Sequence, residues 1–363
     1  MRHEMKSSRI AAAVAAGLVV LFGTVVARAA GDASAAEARA ILDAAGVRGG
    51  LVVHLGKPGE LTAALRADDS YLVQGLAVDA AVVDAGRKII QARGLYGPVT
   101  AERFDGHHLP YIDNSVNLVV WEDVALASGD EVMRVLCPGG VAYVKAGDKW
   151  ARTVKPRPAE IDEWTHYMHD AGGNAVAHDT VIGPPKHLQW QAGPKWGRHH
   201  DHMSSVSACV TTGGRVFYII DEAPRASILT PPDWHLVARD AFNGTLLWKK
   251  PIEQWYPHMM GLKSGPAVLP RRLVAVGDRV YVTLGIDACV SAVDAATGKL
   301  VRTYQGTDQA QEILFDGGVL YVVADVPGSG ESGKTEDPDT ARRRGSTKVI
   351  WDLKARRIMA IRA

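Results

Sequence analysis

The sequence predicts a two-domain chain in which an α/β domain over residues 35–147 precedes an all-β repeat domain over residues 204–363. Two observations lead to this order. In the first region short apolar strands alternate with helical stretches, which is typical of a parallel sheet covered by helices. In the second region a strand, a tight turn and another strand recur with nearly the same residues, which indicates several similar antiparallel sheets. The segment between them, residues 148–203, is expected to be a His-rich linker.

The elements of the first domain follow one another at short intervals. They are predicted in this order: strand 50–56, helix 60–66, strand 71–76, helix 80–93, strand 117–121, helix 131–136 and strand 137–144. Consecutive strands that are joined by helices run parallel, so this alternation predicts a doubly wound sheet with helices on both faces.

Two turns of the second domain share their key residues. Asp240 and Asp294 each end an apolar strand, and Gly244 and Gly298 each follow four positions later. An Asp side chain can accept hydrogen bonds from the amides of its own turn, and glycine adopts the positive φ that closes the turn. The strands that lead to these turns recur 64 and then 39 residues apart, measured at Val216, Val280 and Val319. This spacing brackets the period of about 40–50 residues of β-propeller blades, and the region has room for about three to four of them.

The repeat also carries a family resemblance. The segment Ala238–Trp248 resembles the repeat of PQQ-like, quinoprotein-type β-propellers, including assembly factors of the BamB kind. The resemblance implies that Trp248 packs between neighbouring blades. Arg302 stands in the Trp position of the second copy, and Arg362 stands in the Asp position of a third copy. We expect a partial propeller that is a fragment of a longer relative, and a complete sandwich of some eight strands is the alternative.

The first domain resembles class I S-adenosylmethionine-dependent methyltransferases, which share a Rossmann-like fold. The segments that carry the resemblance are Val53–Gly56, Phe104–Val120 and Arg134–Gly140. The resemblance implies that the cofactor would contact Gly56, Gly59, Asp79 and Asp105.

Both cofactor-binding segments depart from the family pattern. The first loop is one glycine short and contains Pro58, whose fixed φ and missing N–H suit a ligand-binding loop poorly. Ala77 occupies the expected acidic position at the end of the second strand, and Asp79 follows two residues later. We therefore expect a degenerate, inactive domain, with retained methyltransferase activity as the alternative.

The amino-terminal segment predicts export. Residues 1–29 combine basic residues, an apolar run at 10–26 and the small-residue site Ala27-Arg-Ala29, which is the layout of a signal peptide. The mature chain is expected in the periplasm or outside the cell, and an uncleaved anchor at 10–26 is the alternative. The net charge of +1 gives no electrostatic case for nucleic-acid binding, and the absence of a C-x-x-C-H segment excludes covalent haem on this chain.

Histidines concentrate in the predicted linker. His166 and His169 would share one face of a helix, and His200 and His202 would share one face of a strand. These four side chains, with Asp170 or Asp201, are candidate ligands for a divalent metal such as zinc or copper. The alternative is that they hydrogen-bond loops onto the second domain, because no pair matches a named metal motif. PQQ is a less favoured cofactor, since a partial ring cannot surround a quinone.

These observations favour an exported interaction module that binds protein partners at the cell envelope and carries an inactive methyltransferase-like domain. The first alternative is an S-adenosylmethionine-dependent methyltransferase. The second is a PQQ-dependent or metal-dependent oxidoreductase. Because folds of both kinds host many functions, the functional residues have to be identified from the geometry of the sites.

Overall fold

The computed structural model describes residues 31–147, 149–181, 184, 188–193, 206–226, 230–255, 269–329 and 355–363. The chain divides into two compact units, with the boundary between Lys155 and Pro156. The first unit therefore extends eight residues beyond position 147, where the sequence analysis ends the first domain.

The first unit is a doubly wound α/β domain, as predicted. Its elements are α1 (31–45), β1 (Gly50–Leu55), α2 (Glu60–Ala64), β2 (Tyr71–Ala77), α3 (Ala80–Ala92), β3 (Val99–Arg103), β4 (Val116–Trp121), α4 (Gly129–Val135), β5 (Leu136–Ala146) and β6 (Lys149–Val154). The six strands form one sheet in the order β3-β2-β1-β4-β5-β6. The first five are parallel, and β6 pairs antiparallel with β5.

Each face of this sheet has its own core. Successive residues of a strand point to opposite faces, so the buried neighbours Val52 and Val53 belong to different clusters. Apolar residues of α1, α2 and α3 cover the face that contains Val52. Apolar residues of α4 and of the segment before β4 cover the face that contains Val53. The sheet is thus the middle of three layers.

The second unit consists of antiparallel sheets. Its strands are β7 (Val206–Thr212), β8 (Arg215–Asp221), β9 (Trp234–Asp240), β10 (Leu246–Pro251), β11 (Leu273–Val276), β12 (Arg279–Thr283), β13 (Val290–Asp294), β14 (Leu300–Thr303), β15 (Ala310–Asp316), β16 (Val319–Asp325) and β17 (Arg356–Arg362). They form a sheet β10-β9-β8-β7, a sheet β11-β12-β13-β14 and a sheet β15-β16-β17. In each sheet, strands that follow one another along the chain are neighbours.

The two repeated turns have the hydrogen bonds that their residues suggest. Asp240 Oδ1 accepts from the amides of Phe242 and Asn243 at 2.9 and 3.0 Å, and Gly244 has a φ of 74°. Asp294 Oδ1 accepts from the amide of Thr297 at 2.9 Å, and Gly298 has a φ of 68°. Because φ is positive at both positions, a residue with a side chain would be strained there, and both turns therefore need glycine.

Two tryptophan side chains pack against the repeated turns of the second unit. The indole of Trp248 packs against Gly298 in the turn of the next sheet, and its Nε1 donates to Ala295 O at 3.0 Å. The indole of Trp190 packs in the same way against Gly244, and its Nε1 donates to Ala241 O at 2.8 Å. At the corresponding position of the next sheet, Arg302 Nη1 donates to the carbonyl of Arg362. One kind of contact is thus repeated along the unit.

Among the described residues, no helix is both long enough and apolar enough to cross a membrane. The predicted signal peptide, with its apolar run at 10–26, lies outside the described residues.

Candidate functional site

The candidate site of the first unit lies at the carboxyl edge of the parallel sheet, between β1 and β4. The strand order reverses at this pair, because β2 and β3 extend to one side of β1 whereas β4 and β5 extend to the other side. Loops that leave adjacent strands in opposite directions open a crevice, and doubly wound folds bind their ligands there. The loop Gly56–Gly59 follows β1, and Glu122 follows β4.

A chain of hydrogen bonds crosses this edge. His54 is fully buried near the end of β1, and its Nδ1 lies 2.8 Å from Thr62 Oγ1 of α2. Its Nε2 lies 2.8 Å from Glu122 Oε2. Since a carboxylate only accepts, Nε2 carries the proton and Nδ1 accepts from the Thr62 hydroxyl. Thr62 Oγ1 in turn accepts from the amide of Gly59 at 3.0 Å, so the glycine loop and the end of β4 are held by one network.

Glu122 is the charged group of this network. The hydrogen bond from His54 holds the pKa of its carboxyl below its ordinary value, against an opposing effect of burial. Lys145 Nζ lies 3.4 Å from the other carboxylate oxygen. About a quarter of the Glu122 side chain stays exposed, at 23 %. The carboxylate is therefore ionised, oriented and accessible from solvent.

Gly56 lies directly against this pair. A Cβ atom at Gly56 would stand 2.9 Å from Glu122 Oε2 and 3.1 Å from His54 Nε2. Only a residue without a side chain leaves the His54–Glu122 hydrogen bond undisturbed. Gly56 is half-buried, so the turn after β1 brings backbone without a side chain directly against this carboxylate.

Pro58 has a packing role that the sequence analysis does not anticipate. Its side chain is buried, and it contacts β2 at Gly75 and α3 at Gly86. A Cβ atom added at Gly75 would stand 2.9 Å from Pro58 Cβ, and one added at Gly86 would stand 2.7 Å from Pro58 O. Both positions therefore need glycine. Pro58 thus holds the loop down on the sheet, and the exposed residue of the loop is Lys57.

The structure places the other candidate cofactor residues on the same edge. Gly59 is the residue before α2 and is buried. Asp79 follows β2 and caps α3, because its Oδ1 accepts from the amide of Ala81 at 2.7 Å. Asp105 follows β3, and its Oδ1 accepts from the amides of His107 and His108, each at 2.7 Å.

In both Asp residues Oδ1 accepts from backbone amides, and Oδ2 lies outside these contacts. Asp105 Oδ2 instead forms an ion pair with His108 Nδ1 at 3.0 Å. The hydrogen bonds from the two backbone amides lower the pKa of Asp105 well below its usual range. Both side chains are exposed. A cavity of about 390 Å³ opens beside the Asp105 loop, between His107, His108 and the start of α4.

The site residues predicted from the sequence do not include His54, Thr62 and Glu122. A signal for two of them is present in the sequence. His54 is an ionisable residue inside the apolar strand Leu51–Leu55, and Glu122 directly follows the apolar strand that ends at Trp121. A buried histidine needs partners for both ring nitrogens, but only the sheet order shows that β4 provides one of them.

The histidine cluster differs from the predicted helix. His166 and His169 face each other in a β-bridge, in which the His166 amide donates to His169 O at 3.1 Å. His169 has a φ of 76°, a value that a helix does not allow. The expected shared helical face is therefore absent. His200 and His202 lie outside the described residues.

The two bridge histidines have different surroundings. His166 is buried, and its Nε2 accepts from the amide of Phe315 at 3.0 Å while its Nδ1 lies 2.7 Å from Thr165 Oγ1. Burial lowers the pKa of His166 to about 4. His169 instead lies beside Asp162 and His178, and their ligand atoms are within 4.8 Å of one another. The structure thus brings His169 together with two residues that were not candidate ligands.

Comparisons with known proteins concern the first unit. No family model and no curated protein matches the chain. Among solved structures, a putative S-adenosyl-L-methionine-dependent methyltransferase from Methanococcus maripaludis is 28% identical, with a TM-score of 0.27, over 30% of this chain and 53% of that chain. A putative sarcosine dimethylglycine methyltransferase from Galdieria sulphuraria is 23% identical, with a TM-score of 0.28, over 30% of this chain and 45% of that chain. Geranyl diphosphate C-methyltransferase from Streptomyces coelicolor is 19% identical, with a TM-score of 0.28, over 30% of this chain and 44% of that chain.

This chain spans about half the length of the structures that it matches, as the covered shares of 53% and 45% show. The assignment of the doubly wound fold rests on the strand order and the parallel pairing of the sheet itself.

Proposed function

We propose that the first unit binds S-adenosylmethionine at the edge between β1 and β4, as a unit of the methyltransferase type. The observation that carries the proposal is the reversal of the strand order, where Gly56 brings a turn without a side chain beside the ionised carboxylate of Glu122. Pro58 does not oppose binding, because its ring packs into the unit and away from the crevice.

The charges at this edge suit the cofactor. S-adenosylmethionine combines a sulfonium cation and an amino-acid end, which carries an ammonium and a carboxylate, with ribose hydroxyls and an adenine, and it supplies a methyl group that a nucleophile can accept. Glu122 offers an oriented anion for the sulfonium and ammonium groups. Asp79 and Asp105, which follow β2 and β3, offer carboxylate oxygens for hydroxyl and amino donors. Each candidate contact thus comes from the carboxyl end of a different strand.

Calorimetry on the purified chain without residues 1–29 tests the proposal with S-adenosylmethionine and S-adenosylhomocysteine as probes. We expect both to bind, and we expect Gly56→Ala to weaken binding at least tenfold, because the new methyl group displaces Glu122. Gly129→Ala is the matched control, since a Cβ atom there meets nothing within 4 Å. Absence of binding to a folded wild-type chain would refute the proposal.

A second pair of variants separates charge from helix capping. Asp79→Ser keeps a hydroxyl that can cap α3 but removes the carboxylate, whereas Asp79→Ala removes both. We expect both variants to weaken binding of S-adenosylmethionine, and only Asp79→Ala to lower the stability of the unit. If Asp79→Ser binds as well as the wild type, Asp79 does not contact the cofactor.

We further propose that the second unit is a PQQ-like propeller segment that binds protein partners at the cell envelope. The tryptophan contacts at Gly244 and Gly298 support this second function, because Trp248 joins one sheet to the turn of the next as blades are joined in the resembled family, and Trp190 makes the same contact with the turn at Gly244. Fusion of alkaline phosphatase after Ala40 tests the compartment. We expect an active fusion, and an inactive fusion with full activity of an exported control would contradict envelope localisation.

Compartment also determines what the first unit does with its cofactor. S-adenosylmethionine is a cytoplasmic metabolite, so an exported chain would bind it without a supply for turnover. Calorimetry measures binding in solution and does not depend on export. Binding together with an active fusion would therefore describe a non-catalytic unit, and binding with an inactive fusion would describe a methyltransferase in the cytoplasm.

A further inference from the structure

Three side chains of the second unit converge at the segment before β7. His169 Nε2 lies 2.7 Å from Asp162 Oδ2, and His178 Nδ1 lies 3.9 Å from the same oxygen. The rings of His169 and His178 meet edge to face with their centroids 4.8 Å apart. Two imidazoles and one carboxylate are the ligand set that divalent transition metals prefer, zinc in particular.

The spacing of these atoms is close to that of a metal site. Zinc bonds of about 2.0–2.1 Å in a tetrahedral arrangement place two ligand atoms roughly 3.3 Å apart. The two measured separations, 2.7 and 3.9 Å, lie on either side of this value. The shorter one is a hydrogen bond, whose proton occupies the space that a metal ion would take. Small side-chain movements would therefore convert the cluster into a three-ligand site.

The buried ring of His169 supplies an independent argument. Its side chain is only 3 % exposed, and among the described residues its Nδ1 makes no hydrogen bond but lies 3.3 Å from Asp170 Oδ2. Its Nε2 donates to the Asp162 carboxylate, which can only accept. A carboxylate thus stands beside each ring nitrogen of this buried histidine.

Metal binding would use both neighbours of this ring. An ion bound at Nε2 leaves the ring N–H at Nδ1, beside the Asp170 carboxylate. A metal-bound histidine that donates its other N–H to a carboxylate is the usual arrangement in protein metal sites. Asp162 is already oriented, because its Oδ2 accepts from the amide of His178 at 2.6 Å and its own amide donates to Asp179 at 2.6 Å.

We propose that Asp162, His169 and His178 bind a zinc-class divalent metal ion, and that Asp170 orients His169 toward it. His178 is 72 % exposed, so the site opens to solvent on that side and has room for water as a further ligand. This site differs from the predicted set of His166, His169, His200 and His202. His166 is excluded because the amide of Phe315 already uses its Nε2 and Thr165 uses its Nδ1.

Titration of the chelator-treated chain with Zn²⁺, and with Co²⁺ for its visible absorption, tests the proposal. We expect His178→Ala to weaken the affinity for Zn²⁺ by on the order of 100-fold and to change the Co²⁺ spectrum. Loss of an orienting carboxylate costs roughly 10–100-fold in metal affinity, so Asp170→Asn should weaken binding within that range. His235→Ala is the control, because His235 also lies near two carboxylates, 3.8 Å from Glu222 and 3.7 Å from Asp233.

His178 is the decisive position, because its exposed side chain can be removed without disturbing a core. His169→Ala removes a buried ring, so near-ultraviolet circular dichroism has to show that this variant folds. The proposal is overturned if the wild type binds neither ion. It is also overturned if His178→Ala and Asp170→Asn bind Zn²⁺ as tightly as the wild type, since the ion would then lie elsewhere in the chain.

Discussion

At the scale of single residues, the buried histidines show how environment selects a role. His54 and His166 are both inaccessible, and each uses both ring nitrogens in hydrogen bonds. His54 donates to a carboxylate, whereas His166 accepts from a backbone amide. The first arrangement holds a charged group at the candidate site, and the second keeps an imidazole neutral inside the protein. The same residue type therefore contributes to the two units through opposite hydrogen-bond directions.

The pair of His54 and Glu122 predicts a pH-dependent contribution to stability. Because the hydrogen bond lowers the pKa of Glu122 from its ordinary value of 4.5, the ionised form stabilises the folded unit above that pH. The contribution is lost as pH falls through the lowered pKa. We expect Glu122→Gln to reduce the free energy of unfolding by about 1–2 kcal/mol at pH 7. Urea denaturation should show that the difference between the two proteins shrinks below pH 4.5, and a constant difference would contradict the assignment.

His166 predicts that the stability of the second unit depends on pH in a higher range. Burial lowers its pKa from 6.5 to about 4, so between these values the unfolded chain binds a proton that the folded chain does not. Stability therefore falls as pH decreases through this window, by about 3 kcal/mol for this group alone. Chemical denaturation of His166→Gln from pH 7 to 4.5 should show a smaller loss than that of the wild type. A loss equal to that of the wild type would contradict the assignment.

At the scale of elements, one contact recurs at the turns of the second unit. Trp190 and Trp248 each lie against the glycine of a turn and donate to the carbonyl three residues before that glycine. The absence of a side chain at Gly244 and Gly298 lets each indole approach the turn. In the next sheet Arg302 contacts the carbonyl of Arg362 and lies over the Tyr304 ring. In the described part of the chain, the guanidinium of Arg302 thus takes the place of the indole at the last of these contacts.

Matched glycine variants separate the tryptophan contact from backbone strain. Gly277 and Gly298 both have positive φ, at 58° and 68°. A Cβ atom meets nothing within 4 Å at Gly277 but stands 2.7 Å from Trp248 at Gly298. We expect Gly277→Ala to cost about 1–2 kcal/mol from backbone strain alone. Gly298→Ala should cost about 1–3 kcal/mol more. Equal costs in urea denaturation would show that the turn yields to the added methyl group.

At the scale of the whole molecule, each unit contains cores of its own. The clusters on the two faces of the parallel sheet contain only residues of the first unit, and the clusters of the antiparallel sheets contain only residues of the second. The strand β6 completes the first unit. Lys155, at its end, donates through Nζ to Asn114 Oδ1 at 2.6 Å and to Leu136 O at 2.7 Å.

Two fragments of the first unit test this boundary. We expect residues 31–155 to fold by themselves, because they contain both clusters that cover the sheet. A fragment that ends at residue 147 lacks Lys155 and β6, the strand that pairs antiparallel with β5. Calorimetric unfolding should give a lower transition temperature for the shorter fragment. If both fragments melt together, β6 is dispensable and the boundary lies near residue 147.

The sequence by itself determined the order of the domains and most of their local structure. Alternating strands and helices identify a doubly wound sheet, and the spacing of Asp240 to Gly244 and of Asp294 to Gly298 locates the two repeated turns. These signals are readable because strands, helices and tight turns depend on residues that lie within about ten positions of each other. The sequence pattern does not predict α1, β3 or β6. In β6 the side chains are mostly exposed and carry little apolar alternation.

Only the tertiary structure decided which side chains meet. His54 and Glu122 are 68 positions apart and become partners because β1 and β4 are neighbours at the reversal of the strand order. Pro58 looks unfavourable in the loop sequence, yet it packs against glycines of β2 and α3. His169 leaves its predicted helical partner and joins Asp162 and His178, because a β-bridge turns its ring toward them. Hydrogen bonds and packing between distant residues depend on how the sheet is ordered, and local sequence patterns do not encode that order.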